Sequence, residues 1–316
     1  MSVVRVIFLG TPQFAVPSLK ALIEDDHFSV VAVVTQPDRP AGRNLKLQAS
    51  PVKTLAESYE IPVLSPTNIN AVEVLKDLGS YRADAAVVVA FGQILKQEFF
   101  DLFPFGAVNV HGSLLPLWRG AAPIQRALMA GDSITGVALQ KMVRKLDAGD
   151  VLGVRHLPLK SEMDAVQVHD LLADLGADLL RIEFMDYLRG NLVGQAQDES
   201  LVSYAKKIEK AEGAILWTQS ADEICNRYRG LTLGPGVWST LRGGKIKLFQ
   251  LTAMNEHDIR DHAPGEILSI EKDAIIVATG HGAVRVGALQ SESRKRQTVG
   301  DFLKGHKLQA GECFGK

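Results

Sequence analysis

Short, continuous apolar runs set the limits on what this chain can fold into. Residues 3–9, 30–35, 85–90 and 106–110 are each rich in Val, Ile, Leu or Ala, with little polar alternation. A strand that is apolar on both faces needs cover on both, which is the condition of a parallel sheet held between helices. The intervening segments fit that requirement. Phe14, Leu19, Leu22 and Ile23 recur at helical spacing between the first two runs, making a strand–helix–strand unit. Further helical patterns cover residues 51–59, 71–78 and 121–130, and residues 62–64 add a short strand. Pro123 falls in the first turn of its helix, where a missing N–H costs nothing. The expected class is α/β, with a doubly wound, mostly parallel sheet.

The first turn of such a sheet would hold a dinucleotide if it were glycine-rich. Here Pro12 and Ala15 stand where glycines are required, which disfavours a nicotinamide oxidoreductase. Residues 36–53 differ in kind. They carry Pro37, Arg39, Pro40, Gly42, Arg43 and Lys46 without apolar periodicity. Two readings stay open for this loop: a solvated insertion, or a mobile segment whose cations grip phosphate.

The most site-like stretch is 109–120. Asn109 and His111 stand two apart at the end of an apolar strand, so their side chains share one face. A Gly-Ser-Leu-Leu-Pro turn follows directly. Residues 135–142 alternate like a strand with one solvated face, 146–150 form a tight acidic turn around Asp147, and 151–157 read as the hairpin partner. A long amphipathic helix over 165–188 is expected to turn Val168, Leu171, Leu172, Leu175, Leu179 and Ile182 inward. That helix closes a first domain, 1–189, and the polar residues 190–208 read as a linker. Beyond a helix at 221–229 come five short strands, 237–241, 245–251, 265–270, 274–278 and 283–289, punctuated by Gly and Pro. They suggest a small β-barrel domain over 209–316.

Charge and cysteine usage exclude several classes. The net charge of −1 attracts no polyanion as a whole, so nucleic-acid binding would have to come from local basic patches. From Glu209 onward there are 15 Lys and Arg against 13 Asp and Glu, a near balance that leaves the clusters there open to being an ordinary solvated face. Cys225 and Cys313 form neither a disulfide framework nor a metal-ligand spacing. No apolar window of membrane-spanning length and no signal-peptide pattern is found, so a cytoplasmic protein is expected.

Taken in order, Asn109-x-His111, Ser113-Leu-Leu-Pro116, Trp118-Arg-Gly-Ala-Ala-Pro-Ile-Gln125 and Leu146-Asp-x-Gly149 resemble the formyltransferase family, which uses 10-formyltetrahydrofolate. The loop Thr35-Gln-Pro-Asp-Arg-Pro-Ala-Gly-Arg43 and the C-terminal β domain narrow the resemblance to the branch that formylates methionyl-tRNA. The resemblance covers essentially the whole chain. It implies a Rossmann-like formyltransferase domain binding the folate, a linker, and an OB-like barrel that helps hold initiator tRNA. It further implies Asn109, His111 and Asp147 as catalytic residues, and Ser113, Leu114, Leu115, Pro116, Phe91 and Gly92 as folate-binding residues. Arg39, Arg43 and Lys46 of the loop, with Arg294, Lys295 and Arg296 (and Lys304 and Lys307) of the barrel, become the tRNA contacts. No metal is expected, and the chain is expected to act as a monomer away from membranes. A sugar-nucleotide formyltransferase or a formyl-folate hydrolase would share the catalytic trio but not this loop and barrel.

Three segments depart from the family pattern. Val143-Arg144-Lys145 precedes Asp147 where an acidic residue and a glycine are usual. Asn44-Leu45 replaces a frequent Gly-Lys, and Thr232-Leu233-Gly234-Pro235-Gly236 lacks an aromatic.

Overall fold

The computed structural model describes residues 3–41, 46–255 and 259–316. The chain divides into two compact units. The first comprises Met1–Pro123, Ile134–Pro158 and Val168–Ala205; the second comprises Ile124–Ser133, Leu159–Gln167 and Lys206–Lys316.

In the first unit, β1 (Val4–Gly10), α1 (Val16–Ile23) and β2 (Phe28–Val34) form the expected βαβ unit. They are followed by β3 (Arg39–Ala41), β4 (Lys46–Gln48), α2 (Pro51–Ser58), β5 (Val63–Leu64), α3 (Val72–Ser80) and β6 (Ala85–Val89). Then come α4 (Gln97–Phe100), β7 (Ala107–His111) and β8 (Arg119–Gly120). The antiparallel hairpin β9 (Ile134–Lys141) and β10 (Val151–Pro158) completes the sheet.

The seven-stranded order is β10-β9-β7-β6-β1-β2-β5. Pairs among β5, β2, β1, β6 and β7 are parallel, while β9 runs antiparallel to β7. The chain winds one way from β1 to β2 and the other way to β6, so a crevice opens beyond the carboxyl ends of β1 and β6, where ligands of open sheets bind. Cross-bonds tie these ends together. Gln36 Nε2 donates to the Phe91 carbonyl at 3.1 Å, and the Gln36 N–H to Thr11 Oγ1 at 3.2 Å. One core face packs Ile7, Leu9, Ala32, Val34, Val88, Phe91 and Phe99.

Two expectations about faces are corrected. Residues 135–142 were expected to keep one face in water, yet β9 is buried from Thr135 through Gln140. The helix of residues 165–179 packs over one face, where Gly176 lies against Val137, and the turn after β7 packs over the other, where Leu114 lies against Gly136, so neither face meets water. Gly136 is required there, because a Cβ would stand 2.2 Å from the Arg155 carbonyl oxygen. The long helix is α6 (Ala165–Leu179), a π-helical turn (Leu180–Phe184) and α7 (Met185–Leu188). Leu171 and Ile182 point outward, at 41% and 57% exposure, whereas Leu180 and Phe184 are buried. The extra residue in the π turn rotates the apolar face from Leu180 onward, which a uniform helical period cannot anticipate; Leu171 lies ahead of the turn, beside the buried stripe of Val168, Leu172 and Leu179.

The ends of the 36–53 segment are more regular than a loop. β3 and β4 pair antiparallel with Ala41 opposite Lys46, and an ion pair between Lys53 Nζ and Asp38 Oδ2 (2.8 Å) ties the hairpin to α2. Arg43 lies outside the described residues, and of Lys46 only the backbone is described. Residues 190–205 are bonded onto the first unit. Gln195 bridges to Val151, and β11 (Tyr204–Ala205) pairs in parallel with β8.

The second unit contains most of α5 (Pro123–Ala130), α8 (Ala221–Gly230) and an antiparallel sheet. Its strands are β12 (Val237–Leu241), β13 (Gly244–Met254), β14 (Ile267–Ile270), β15 (Ile275–Ala278), β16 (Ala283–Ser291) and β17 (Gln297–Thr298), and α9 (Val299–Gly305) follows. The sheet order is β12-β13-β16-β15-β14, with β17 on β16, around a core that includes Trp217, Ile224, Leu248, Val284 and Phe302. Thr232, in one of the departing segments, accepts the Ala165 N–H and donates to the Arg229 carbonyl, both at 3.1 Å. Burial pushes the Cys225 thiol up to about 12, so that side chain is an inert core group. Ser220 and Glu223 form a reciprocal capping box at the start of α8. Ser220→Ala is expected to cost about 1 kcal/mol, read as a lower midpoint in urea unfolding at an unchanged slope.

Candidate active site

β7 delivers two polar side chains to one place because its residues alternate faces. Asn109 and His111 are 8% and 6% exposed, almost wholly buried at the end of β7. His111 Nε2 lies 3.0 Å from the Trp118 carbonyl. A carbonyl only accepts, so Nε2 carries the hydrogen and Nδ1 is left for other chemistry. Nδ1 stands 3.8 Å from Asp147 Oδ2, close enough for charge attraction but not a direct hydrogen bond. No hydrogen bond engages the Asn109 amide among the described residues. It is a donor without an occupation.

Asp147 arrives from the turn between β9 and β10 and is fixed by its neighbours. Its Oδ2 accepts the Gly120 N–H at 2.8 Å, and its Oδ1 accepts from Gln140 Nε2 at 3.1 Å. Gln140 faces Asn109 directly across the β7–β9 pair. The backbone here is strained. Asp147 has φ 47° and Trp118 has φ 60°, conformations that cost a non-glycine residue on the order of 1–3 kcal/mol. Such strain persists only where the surroundings over-determine it.

The turn after His111 is also well anchored. Ser113, wholly buried, donates from Oγ to the Leu117 carbonyl at 2.6 Å, while Leu115 is buried and Leu114 and Pro116 are half-buried. Phe91 is a core residue. Its ring is 2% exposed, so what it offers near the strand ends is its backbone, beside the left-handed Gly92. A cavity of about 600 Å³ opens along Lys141, Met142, Val143 and Arg144, with Phe100 and Tyr187 among its other walls. The unusual Val143-Arg144 pair therefore shapes that cavity, and neither the trio nor Ser113–Pro116 lines it.

The formyl transferase domain matches residues 4–181, and the formyl transferase C-terminal domain matches residues 207–307. A methionyl-tRNA formyltransferase from Bdellovibrio bacteriovorus is 55% identical over 317 residues, covering 100% of both chains. The chain belongs to the methionyl-tRNA formyltransferase family. Another member, from Citrifermentans bemidjiense, is 43% identical across 100% of this chain and 98% of its own. More distant solved structures share the fold. An N-formyltransferase from Helicobacter canadensis, solved with folinic acid and dTDP-3-aminofucose, superposes with a TM-score of 0.67 at 17% identity, covering 91% of this chain and 99% of its own. HypX from Aquifex aeolicus, solved with tetrahydrofolic acid, gives 0.63 at 18% identity, covering 98% of this chain and 51% of its own.

The basic residues expected to meet tRNA lie on different elements, Arg39 in the first unit and the others described in the second. Arg39 is exposed, its guanidinium 3.4 Å from Gln36 Oε1. Arg294, Lys295 and Arg296 are exposed in the turn before β17, and Arg296 stacks over Phe249 at 4.5 Å. Lys304 is paired with Asp301 at 2.7 Å.

Sequence reasoning missed the residues around Asp147. Arg119, fully buried, donates from Nε and Nη2 to Gln197 Oε1 at 3.1 and 2.8 Å. Its Nη2 also reaches Glu199 Oε1 at 2.9 Å. Lys145, part of the unusual approach to Asp147, pairs with the other Glu199 oxygen. Hydrogen bonds from Lys145 first and Arg119 second hold the Glu199 carboxyl below its ordinary value. The one signal available was an arginine inside an otherwise apolar and glycine-rich stretch, which calls for a buried acceptor.

Proposed function

We propose that this chain transfers the formyl group of 10-formyltetrahydrofolate to the α-amino group of methionine on initiator tRNA, as a cytoplasmic monomer serving translation initiation. The observation that carries the reading is the meeting of Asn109, His111 and Asp147 at one strand end, in a chain 55% identical over full length to a methionyl-tRNA formyltransferase. The folate, as formyl donor, would lie over the Ser113-Leu114-Leu115-Pro116 turn and against the backbone of Phe91 and Gly92. Residues 1–189 would carry the transfer, and residues 209–316 would assist tRNA binding.

Each residue has a task suited to its chemistry. The methionine amine forms a bond to the formyl carbon as it loses a proton to His111 Nδ1, and the carbonyl π electrons move to oxygen. The idle Asn109 amide donates to that oxyanion. The imidazolium then gives its proton to N10 of the folate as the carbon–N10 bond breaks, and the carbonyl re-forms. Formylmethionyl-tRNA and tetrahydrofolate leave. Asp147 orients the imidazole and balances its transient charge across the 3.8 Å gap.

An acceptor screen with labelled formyl-folate tests the reading. Charged initiator tRNA is expected to be formylated in preference to elongator methionyl-tRNA, an amino sugar nucleotide or water. Formate release without an acceptor would overturn it. Arg43→Ala and Arg39→Ala are expected to raise KM for tRNA and to flatten its salt dependence, since each removes a cation that would meet phosphate or base edges. Unchanged tRNA titrations would make the hairpin a bystander.

A further inference from the structure

Asp147 holds a left-handed backbone, and the group that grips that backbone comes from far along the chain. Gln197 Nε2 donates to two carbonyls at once, Asp147 O at 2.8 Å and Gly149 O at 2.7 Å. Its Oε1 is taken by two N–H groups of Arg119. The amide can therefore stand only one way round, with its oxygen toward the guanidinium and its nitrogen toward the turn. Arg119 is itself fully buried, with Nη1 lacking any partner among the described residues. A guanidinium kept under those conditions has more to do than fill space, since burial of an unpaired N–H is costly. The next residue, Gly120, donates its own N–H to the Asp147 carboxylate. Backbone and carboxylate of Asp147 are thus held from the same β8 segment, one through Gln197 and the other directly.

We propose that Gln197, oriented by Arg119, is a positioning residue for Asp147, so that the segment after residue 190 completes the formyl-transfer site rather than only connecting domains. The proposal rests on the reading of Asp147 as the catalytic carboxylate. Released from Gln197, the turn can leave its strained conformation and carry the carboxylate away from His111. Misplacement of a catalytic group by about 1 Å can cost about 100-fold in rate.

The test is a double-mutant cycle on the full chain, with kcat and both KM values measured. Gln197→Ala is expected to lower kcat roughly 10- to 100-fold with both KM values nearly unchanged. The loss is expected to vanish in the Asp147→Asn background, where there is no carboxylate left to position. Gln197→Glu keeps the acceptor for Arg119 but sets a carboxylate against two carbonyls, so it is expected to keep its melting temperature and still lose kcat. Normal kcat in Gln197→Ala, losses that multiply in the double variant, or kcat that falls only in step with melting in both Gln197 variants would each overturn the proposal. A normal rate for Asp147→Asn alone would instead overturn the catalytic reading on which it rests.

Discussion

Replacing His111 by alanine is expected to lower kcat roughly 100-fold or more while the folate still binds. In the proposed mechanism the imidazole carries the proton in both halves of the reaction, and β7 holds no other ionisable group. Its Nε2 is held by the Trp118 carbonyl at 3.0 Å, which leaves Nδ1 facing Asp147. Alanine removes the carrier and leaves the strand intact, because the β7 ladder is made by its backbone. Asp147→Asn is expected to show a loss of similar size by a different route, since its amide keeps the shape of the carboxyl but not the charge opposite the imidazolium. Single-turnover rates with bound folate separate the chemical step from binding. Near-normal rates in both variants would refute the assignment of the trio.

Gly149→Ala is expected to damage stability and catalysis together. A Cβ there would stand 1.7 Å from the Lys141 carbonyl oxygen and 2.8 Å from its carbon. Both atoms are backbone, and Lys141 is tied down by its N–H bond to the Asp150 carbonyl at 2.9 Å. No side chain can swing away to make room, so the turn from 142 to 149 must move, and Asp147 moves with it. The Gly149 carbonyl is also one of the two that Gln197 holds. Overpacking of this kind costs about 1–3 kcal/mol or somewhat more. The displaced carboxylate adds a kcat loss of about 100-fold. Thermal melts and steady-state rates on the same preparation check both parts. Wild-type values in each would mean that the turn is softer than its contacts imply.

The parallel sheet could be anticipated because burial on both faces writes itself into composition: a strand under two layers of helix has to be apolar throughout. The convergence of Asn109 and His111 was equally legible, since the period of two in a strand holds whatever surrounds it. The order of the signature residues likewise pointed to Asp147 before any geometry was known. These are properties of local chain geometry and of residue order, both of which a sequence states directly.

What tertiary structure decided lies where distant segments meet. Residues 135–142 look half-solvated, but Leu114 of the turn after β7 covers one face of β9 and α6 covers the other. One π turn redirects the inward face of the long helix, because it inserts a residue into a periodicity that sequence reading assumes to be constant. The Arg119–Gln197 bond joins residues 78 apart with side chains that carry no spacing rule. A polar stretch and a linker look alike in sequence, since neither has an apolar period. Only the fold shows that Gln197 spends its hydrogen bonds on the turn of Asp147. The sequence by itself named the groups proposed for the chemistry; the packing of three separate segments decided how firmly they are held.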